Sequence, residues 1–127
     1  MQTRYVILEH RIPDGGVHFD CLFEIDDVLA SWKMPVPPTH AKPVHATKQA
    51  DHRKAYLDYE GPLTGARGTV TVWDAGTFQL AEGDTLSHMM ETGIVICQCH
   101  GKKLDGRLSL MYLAGTLWVC KFVRPRR

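Results

Sequence analysis

Two histidines and an aspartate stand where a single hairpin would bring them together. Between His10 and His18 lies Arg11-Ile12-Pro13-Asp14-Gly15-Gly16-Val17. A three-residue hairpin loop is commonly a type I turn followed by a left-handed residue. Pro13, Asp14 and Gly15 suit those places, because proline presets φ and glycine tolerates positive φ. Ile12 then pairs with Gly16, His10 lies directly opposite His18, and Asp20 shares the face of His18. Two imidazoles and a carboxylate on one patch of sheet are a reasonable ligand set for a divalent metal with open positions. The same spacing also suits three solvated side chains on the outside of a sheet.

The elements that would carry these residues read as strands. Tyr5–His10 is rich in strand formers, and Val17–Ile25 alternates, with Phe19, Cys21, Phe23 and Ile25 on one face and His18, Asp20, Leu22 and Glu24 on the other. Asp26-Asp27 turns into Val28–Met34. Pro35–Pro43 holds four prolines in nine residues, which rules out a regular element there. Thr69–Trp73 alternates, and Asp74-Ala75-Gly76 reads as a turn into Thr77–Leu80. Gly83–Glu91 reads as a short helix capped by Asp84. Ile94–His100, Gly106–Leu113 and Leu117–Val123 are three more strands joined by hairpin turns. Trp32, Trp73, Trp118, Met111, Tyr112 and Phe122 fit core positions. The expected fold is mainly β, a small closed antiparallel barrel with one or two short helices, because closure removes exposed edges.

The chain of 127 residues suits one domain over 1–127, ending in a basic tail at 124–127. A formal net charge of +1 gives no global electrostatic case for nucleic acid, so any such binding must come from a local patch. The start shows neither a long apolar run nor a small-residue cleavage site, and no stretch nears the ~20 apolar residues of a membrane span. The four cysteines lack CxxC spacing and read as reduced thiols, which points to a cytoplasmic setting. Cys97-x-Cys99-His100 invites a zinc reading but lacks a fourth ligand. His40 and His45, flanking the proline loop, read as solvent-exposed.

Several ordered segments resemble the 3′-phosphoesterase domain of bacterial DNA ligase D. His18-Phe19-Asp20, Glu24 and Val28-Leu-Ala-Ser-Trp-Lys-Met-Pro35 come first. Asp51-His52, Tyr56, Glu60-Gly61, Gly68-Thr-Val-Thr-Val-Trp-Asp74, Gly101-Lys-Lys-Leu-Asp-Gly-Arg107 and Trp118-Val-Cys-Lys121 follow in the family's order, so the likeness runs from about Tyr5 to Val123. The resemblance implies a small β-barrel with flanking helical pieces. It implies Mn²⁺-dependent repair of DNA 3′ ends, removing a 3′-terminal ribonucleoside and then the 3′-phosphate. By position, His10, His18 and Asp20 look like the metal ligands, for Mn²⁺ or another divalent transition metal such as Zn²⁺. His52 and Tyr56 look like phosphate-contacting residues: His52 as phosphate ligand or general acid, Tyr56 as donor to a phosphoryl oxygen. The implied partners are DNA or RNA-tipped DNA 3′ ends and a DNA ligase or repair polymerase, with the chain itself a monomer.

The chain departs from the family pattern at the substrate side. The step from His10 to His18 is eight residues, two more than usual, which preserves facing parity in a hairpin. The family's arginine two residues after the metal aspartate is Leu22, its glutamine before the first histidine is Leu8, and its lysine after the Trp-x-x-Pro stretch is Val36. Arginine offers permanently charged, bidentate phosphate contacts and leucine none. Lys48, Arg53, Lys54 and Arg67 are candidates to replace it. Two readings follow: a phosphoesterase with an incomplete phosphate-binding set, or a catalytically impaired relative that binds a nucleic-acid end or a repair partner. Glu60 reads as shaping a turn or supporting a metal ligand.

Overall fold

The structure, a computed structural model, describes residues 3–39 and 42–125. His40, Arg126 and Arg127 lie outside the described residues. Strands β1 (Thr3–Arg11), β2 (Val17–Ile25), β3 (Val28–Met34) and β4 (Val44–Arg53) come first. They are followed by β5 (Gly61–Pro62), β6 (Thr69–Gln79), helix α1 (Leu86–Thr92), β7 (Ile94–Gly101), β8 (Asp105–Ala114) and β9 (Leu117–Val123). All pairings are antiparallel, in the order β1-β2-β3-β4-β9-β8-β7-β6, and β6 pairs back onto β1. The sheet is therefore a closed eight-strand barrel, with the two-residue β5 added beside β6, as the alternation of the sequence implies. Among the described residues no helix is long and apolar enough to cross a membrane.

Alternation sends the odd residues of β1 and β2 inward. Tyr5, Ile7, Cys21 and Phe23 join Trp32, Trp118, Leu108, Leu110 and Phe122 in the barrel interior. The even residues face outward but are not all solvated. Val6, Leu8 and Leu22, with Leu29 and Val70, form a second buried cluster beneath Leu57 of a 3-10 turn at Lys54–Leu57. Both faces of these strands are thus apolar near their middles, and polar side chains gather toward their ends.

Three local expectations need correction. Asp74-Ala75-Gly76 is not a turn, since β6 runs through it. The Asp74 carboxylate is buried and accepts from Tyr5 Oη (2.7 Å), Lys103 N (3.0 Å) and Leu104 N (3.0 Å). Those contacts knot β1, β6 and the β7–β8 turn, and a register shift opposite Ile7/Leu8 absorbs the irregularity. A Cβ on Gly101 would stand 2.0 Å from Tyr5 Oη and 2.4 Å from Asp74 Oδ2, so only glycine fits there. The cap of α1 is Thr85, whose hydroxyl accepts from His88 N, while Asp84 accepts from Thr85 N and His88 Nδ1. Met111, on the outward phase of β8, is 47% exposed; Tyr112, on the inward phase but toward the strand's end, is 48% exposed with its ring against Trp118, whereas Phe122 is buried. Strand β4 has no sequence signal of its own: it carries no clear apolar alternation, and only Val44 and Ala46 of it are buried.

Loss of the Asp74 carboxylate strands two buried donors, each costing about 1–3 kcal/mol when unpaired, and the partly buried amide of Lys103. Asp74→Ala is expected to lower unfolding free energy by about 3 kcal/mol or more in urea denaturation. Tyr5→Phe leaves two of the three donors paired and is expected to cost about 1–2 kcal/mol.

Candidate metal centre and phosphate pocket

The first hairpin takes the register that its turn residues dictate. Ile12 N donates to Gly16 O (2.8 Å), Gly15 N donates to Ile12 O (2.9 Å), and Gly15 adopts φ 97°. Asp14 Oδ1 accepts from Gly16 N and stiffens the turn. His10 therefore pairs with His18, and Leu8 with Asp20.

The three side chains converge at the barrel's outer surface. His10 Nδ1 lies 3.0 Å from His18 Nε2 and 3.4 Å from Asp20 Oδ2, and His18 Nε2 lies 3.3 Å from Asp20 Oδ1. Donors sharing an ion at bond lengths of about 2.1 Å stand roughly 3.0–3.4 Å apart for angles between octahedral and tetrahedral, so the spacing fits a shared cation. The chemistry of the donors fits as well. His10 Nε2 is 2.7 Å from Arg67 O. A carbonyl only accepts, so Nε2 carries the proton and Nδ1 keeps its lone pair toward the cluster. Burial, first, and the nearby Lys33 ammonium lower the pKa of His18 against the opposing pull of Asp20, favouring the neutral imidazole that ligates metals. Among the described residues, this is the His/Cys/Asp/Glu group whose donor atoms converge. Cys97 and Cys99 are instead buried in the barrel with Sγ atoms 3.8 Å apart. Burial also pushes the Cys120 thiol up to about 12, which leaves it inert.

Asp20 is held from behind. Gln49 Nε2 donates to Asp20 Oδ1 (3.0 Å) and to Ser31 Oγ (3.0 Å). Gln49 comes from β4, where it pairs with Ser31 of β3. Sequence reasoning missed it, because it reaches Asp20 only through the β3–β4 register.

The cluster forms one wall of a pocket of about 200 Å³ whose other walls include His52, Tyr56, Lys33 and Arg67, with Leu8, Leu63 and Val70 as apolar surface. His52 lies near the end of β4 opposite Leu29, and Tyr56 sits in the 3-10 turn that follows. Their rings meet edge to face with centroids 5.8 Å apart. His52 Nδ1 donates to Ala50 O (3.1 Å), which leaves Nε2 for a ligand. The other sequence candidates lie elsewhere. Lys48 sits over Trp32 and pairs with Asp51, and Lys54 pairs with Glu24. Glu60 accepts from Val72 N, a bond that fastens the 58–62 segment to β6. His45 is exposed. Leu22 shares the face of Asp20 but is fully buried in the second apolar cluster and does not line the pocket, while Val36 is 51% exposed.

Residues 8–112 match the model of the DNA ligase D 3′-phosphoesterase domain. The multifunctional non-homologous end joining DNA repair protein LigD of Mycobacterium tuberculosis is 33% identical over 128 residues, covering 97% of this chain and 16% of the relative. The multifunctional non-homologous end joining protein LigD of Pseudomonas aeruginosa is 31% identical over 113 residues, covering 85% of this chain and 13% of the relative. The corresponding LigD of Mycolicibacterium smegmatis is 28% identical over 98% of this chain and 17% of its own length. The chain thus spans about one sixth of the curated relatives that it matches.

Two outcomes are expected. Calorimetric titration with Mn²⁺ or Zn²⁺ should show one site whose affinity falls at least about tenfold to a hundredfold in His18→Ala, with little change in melting temperature of the metal-free protein. Leu22→Arg should lower stability by about 3 kcal/mol or more, because it forces a guanidinium into an apolar cluster without a partner; thermal denaturation reads the loss.

Proposed function

The chain belongs to the DNA ligase D 3′-phosphoesterase domain family, and from that premise we propose that it hydrolyses phosphate or phosphodiester groups at DNA 3′ ends during end repair, using a divalent metal, with Mn²⁺ the leading candidate. The observation that carries this reading is the meeting of His10, His18 and Asp20 with His52 and Tyr56 in one pocket. The reading extends to 3′-terminal ribonucleosides as substrates, and to a DNA ligase or repair polymerase as the protein beside which the chain works in the cytoplasm as a monomer.

His10 Nδ1, His18 Nε2 and the Asp20 carboxylate would hold the ion, which when bound polarises a phosphoryl oxygen and lowers the pKa of water. The remaining work falls to the chain's own groups. Arg67 O fixes the tautomer of His10, and Gln49 fixes one oxygen of Asp20. Preorganisation of this kind avoids rearrangement during the reaction. His52, anchored through Nδ1, presents Nε2, which in the doubly protonated ring donates to the phosphate or gives its proton to the departing 3′ oxygen. The Tyr56 phenol donates to a phosphoryl oxygen. Leu8, Leu63 and Val70 exclude water from one side, which strengthens these charge-assisted contacts.

The test is release of inorganic phosphate from a 3′-phosphorylated DNA primer by the purified protein with Mn²⁺. Chelation should abolish release, and His52→Ala should reduce kcat by about 10²–10³-fold. Absence of release, with retained binding of 3′ ends, would favour the alternative of an end-binding relative.

A further inference from the structure

A phosphoesterase pocket must neutralise a phosphate that carries up to two charges, and here the family's arginine position is an apolar core site. We propose that Lys33 and Arg67, both lining the pocket, supply the positive charge that engages the substrate's terminal phosphate. This rests on the phosphoesterase reading above and assigns residues that the family likeness does not supply.

Lys33 is the cross-strand partner of Asp20, so β3 delivers an ammonium beside the metal cluster. It lines the pocket, and its charge is felt at His18. Arg67 enters from the segment before β6, and its backbone and side chain do different work. Its carbonyl accepts from His10 Nε2, while Nε and Nη2 donate to Thr64 O (2.8 Å) and Thr64 Oγ1 (3.0 Å). Two of the five guanidinium donors thus fix the head group, and the others are left for a ligand. The backbone around it is pinned: Gly68 has φ 99°, and a Cβ there would stand 1.9 Å from Arg11 O.

Most other nearby cations are paired: Arg4 with Asp58, Arg11 with Glu9, Lys48 with Asp51 and Lys54 with Glu24. Arg53, next to His52, lines a neighbouring hollow rather than this pocket. Among the described residues, neither Lys33 nor Arg67 forms an ion pair. Two unneutralised cations on the rim of a pocket with apolar walls create a local positive potential in a chain whose net charge is only +1. A compact ammonium and a fixed guanidinium fork suit a terminal phosphate, which offers several oxygens at once.

The test measures binding of two oligonucleotides of identical sequence, one ending in 3′-phosphate and one in 3′-hydroxyl, to the full chain by fluorescence anisotropy, without added metal so that no turnover intervenes. The wild type should prefer the phosphorylated end. Lys33→Gln and Arg67→Gln should each reduce that preference about tenfold or more, as expected for loss of a charge-assisted contact, and the double variant should abolish it. Lys33→Arg should retain most of it, and Lys121→Gln, on β9, should leave it unchanged. Melting temperatures identify any variant that fails to fold, and Lys33→Arg then carries the comparison. A wild type without preference, or a folded double variant that keeps it, overturns the assignment. A charge-dependent preference in a protein that releases no phosphate with Mn²⁺ supports the assignment while contradicting the phosphoesterase reading.

Discussion

The register between β1 and β2 is the constraint on which the rest depends. A slip of one residue would turn every side chain of a strand to the opposite face, moving His18 and Asp20 inside the barrel and Cys21 and Phe23 out of it. The Pro13-Asp14-Gly15 turn prevents that slip locally through the bonds between Ile12, Gly15 and Gly16. Pairing of β1 with β6 prevents it globally, because β1 must satisfy two neighbours at once. The buried Tyr5–Asp74 bond, reinforced by the amides of Lys103 and Leu104, ties that closure to the far hairpin.

Burial on both faces then decides where polar chemistry can occur. Along β2, Cys21 and Phe23 fill the barrel, and Leu22 fills the outer cluster with Val6, Leu8, Leu29, Leu57 and Val70. Fully burying a leucine stabilises by about 1.5–3 kcal/mol, so the outer cluster holds the 54–57 turn against the barrel. That turn carries Tyr56 and begins two residues after His52. The leucine at the arginine position therefore anchors the segment that lines the pocket. Positive charge on the pocket rim comes instead from Lys33 and Arg67.

Much of this was legible in the sequence, and for identifiable reasons. Strands with strong apolar alternation, such as Val17–Ile25, announce their faces, and a short loop with proline and glycine in set places fixes the partner of His10. What could not be read depends on pairings distant in sequence. Gln49 and Lys33 gain meaning only because β3 lies between β2 and β4. The polar β4 hid because only Val44 and Ala46 reach the core. Asp74-Ala75-Gly76 has turn chemistry when read alone, and only the donors of Tyr5, Lys103 and Leu104 show why an aspartate is buried mid-strand.

The central claim is that His10, His18 and Asp20 share one metal ion. Anomalous diffraction at the manganese edge from crystals soaked in Mn²⁺ tests it directly. The account predicts a single strong peak bonded at about 2.0–2.2 Å to His10 Nδ1, His18 Nε2 and an Asp20 oxygen, with His52 and Tyr56 facing it across the pocket. A peak located elsewhere in the molecule, or none at saturating Mn²⁺, would contradict it.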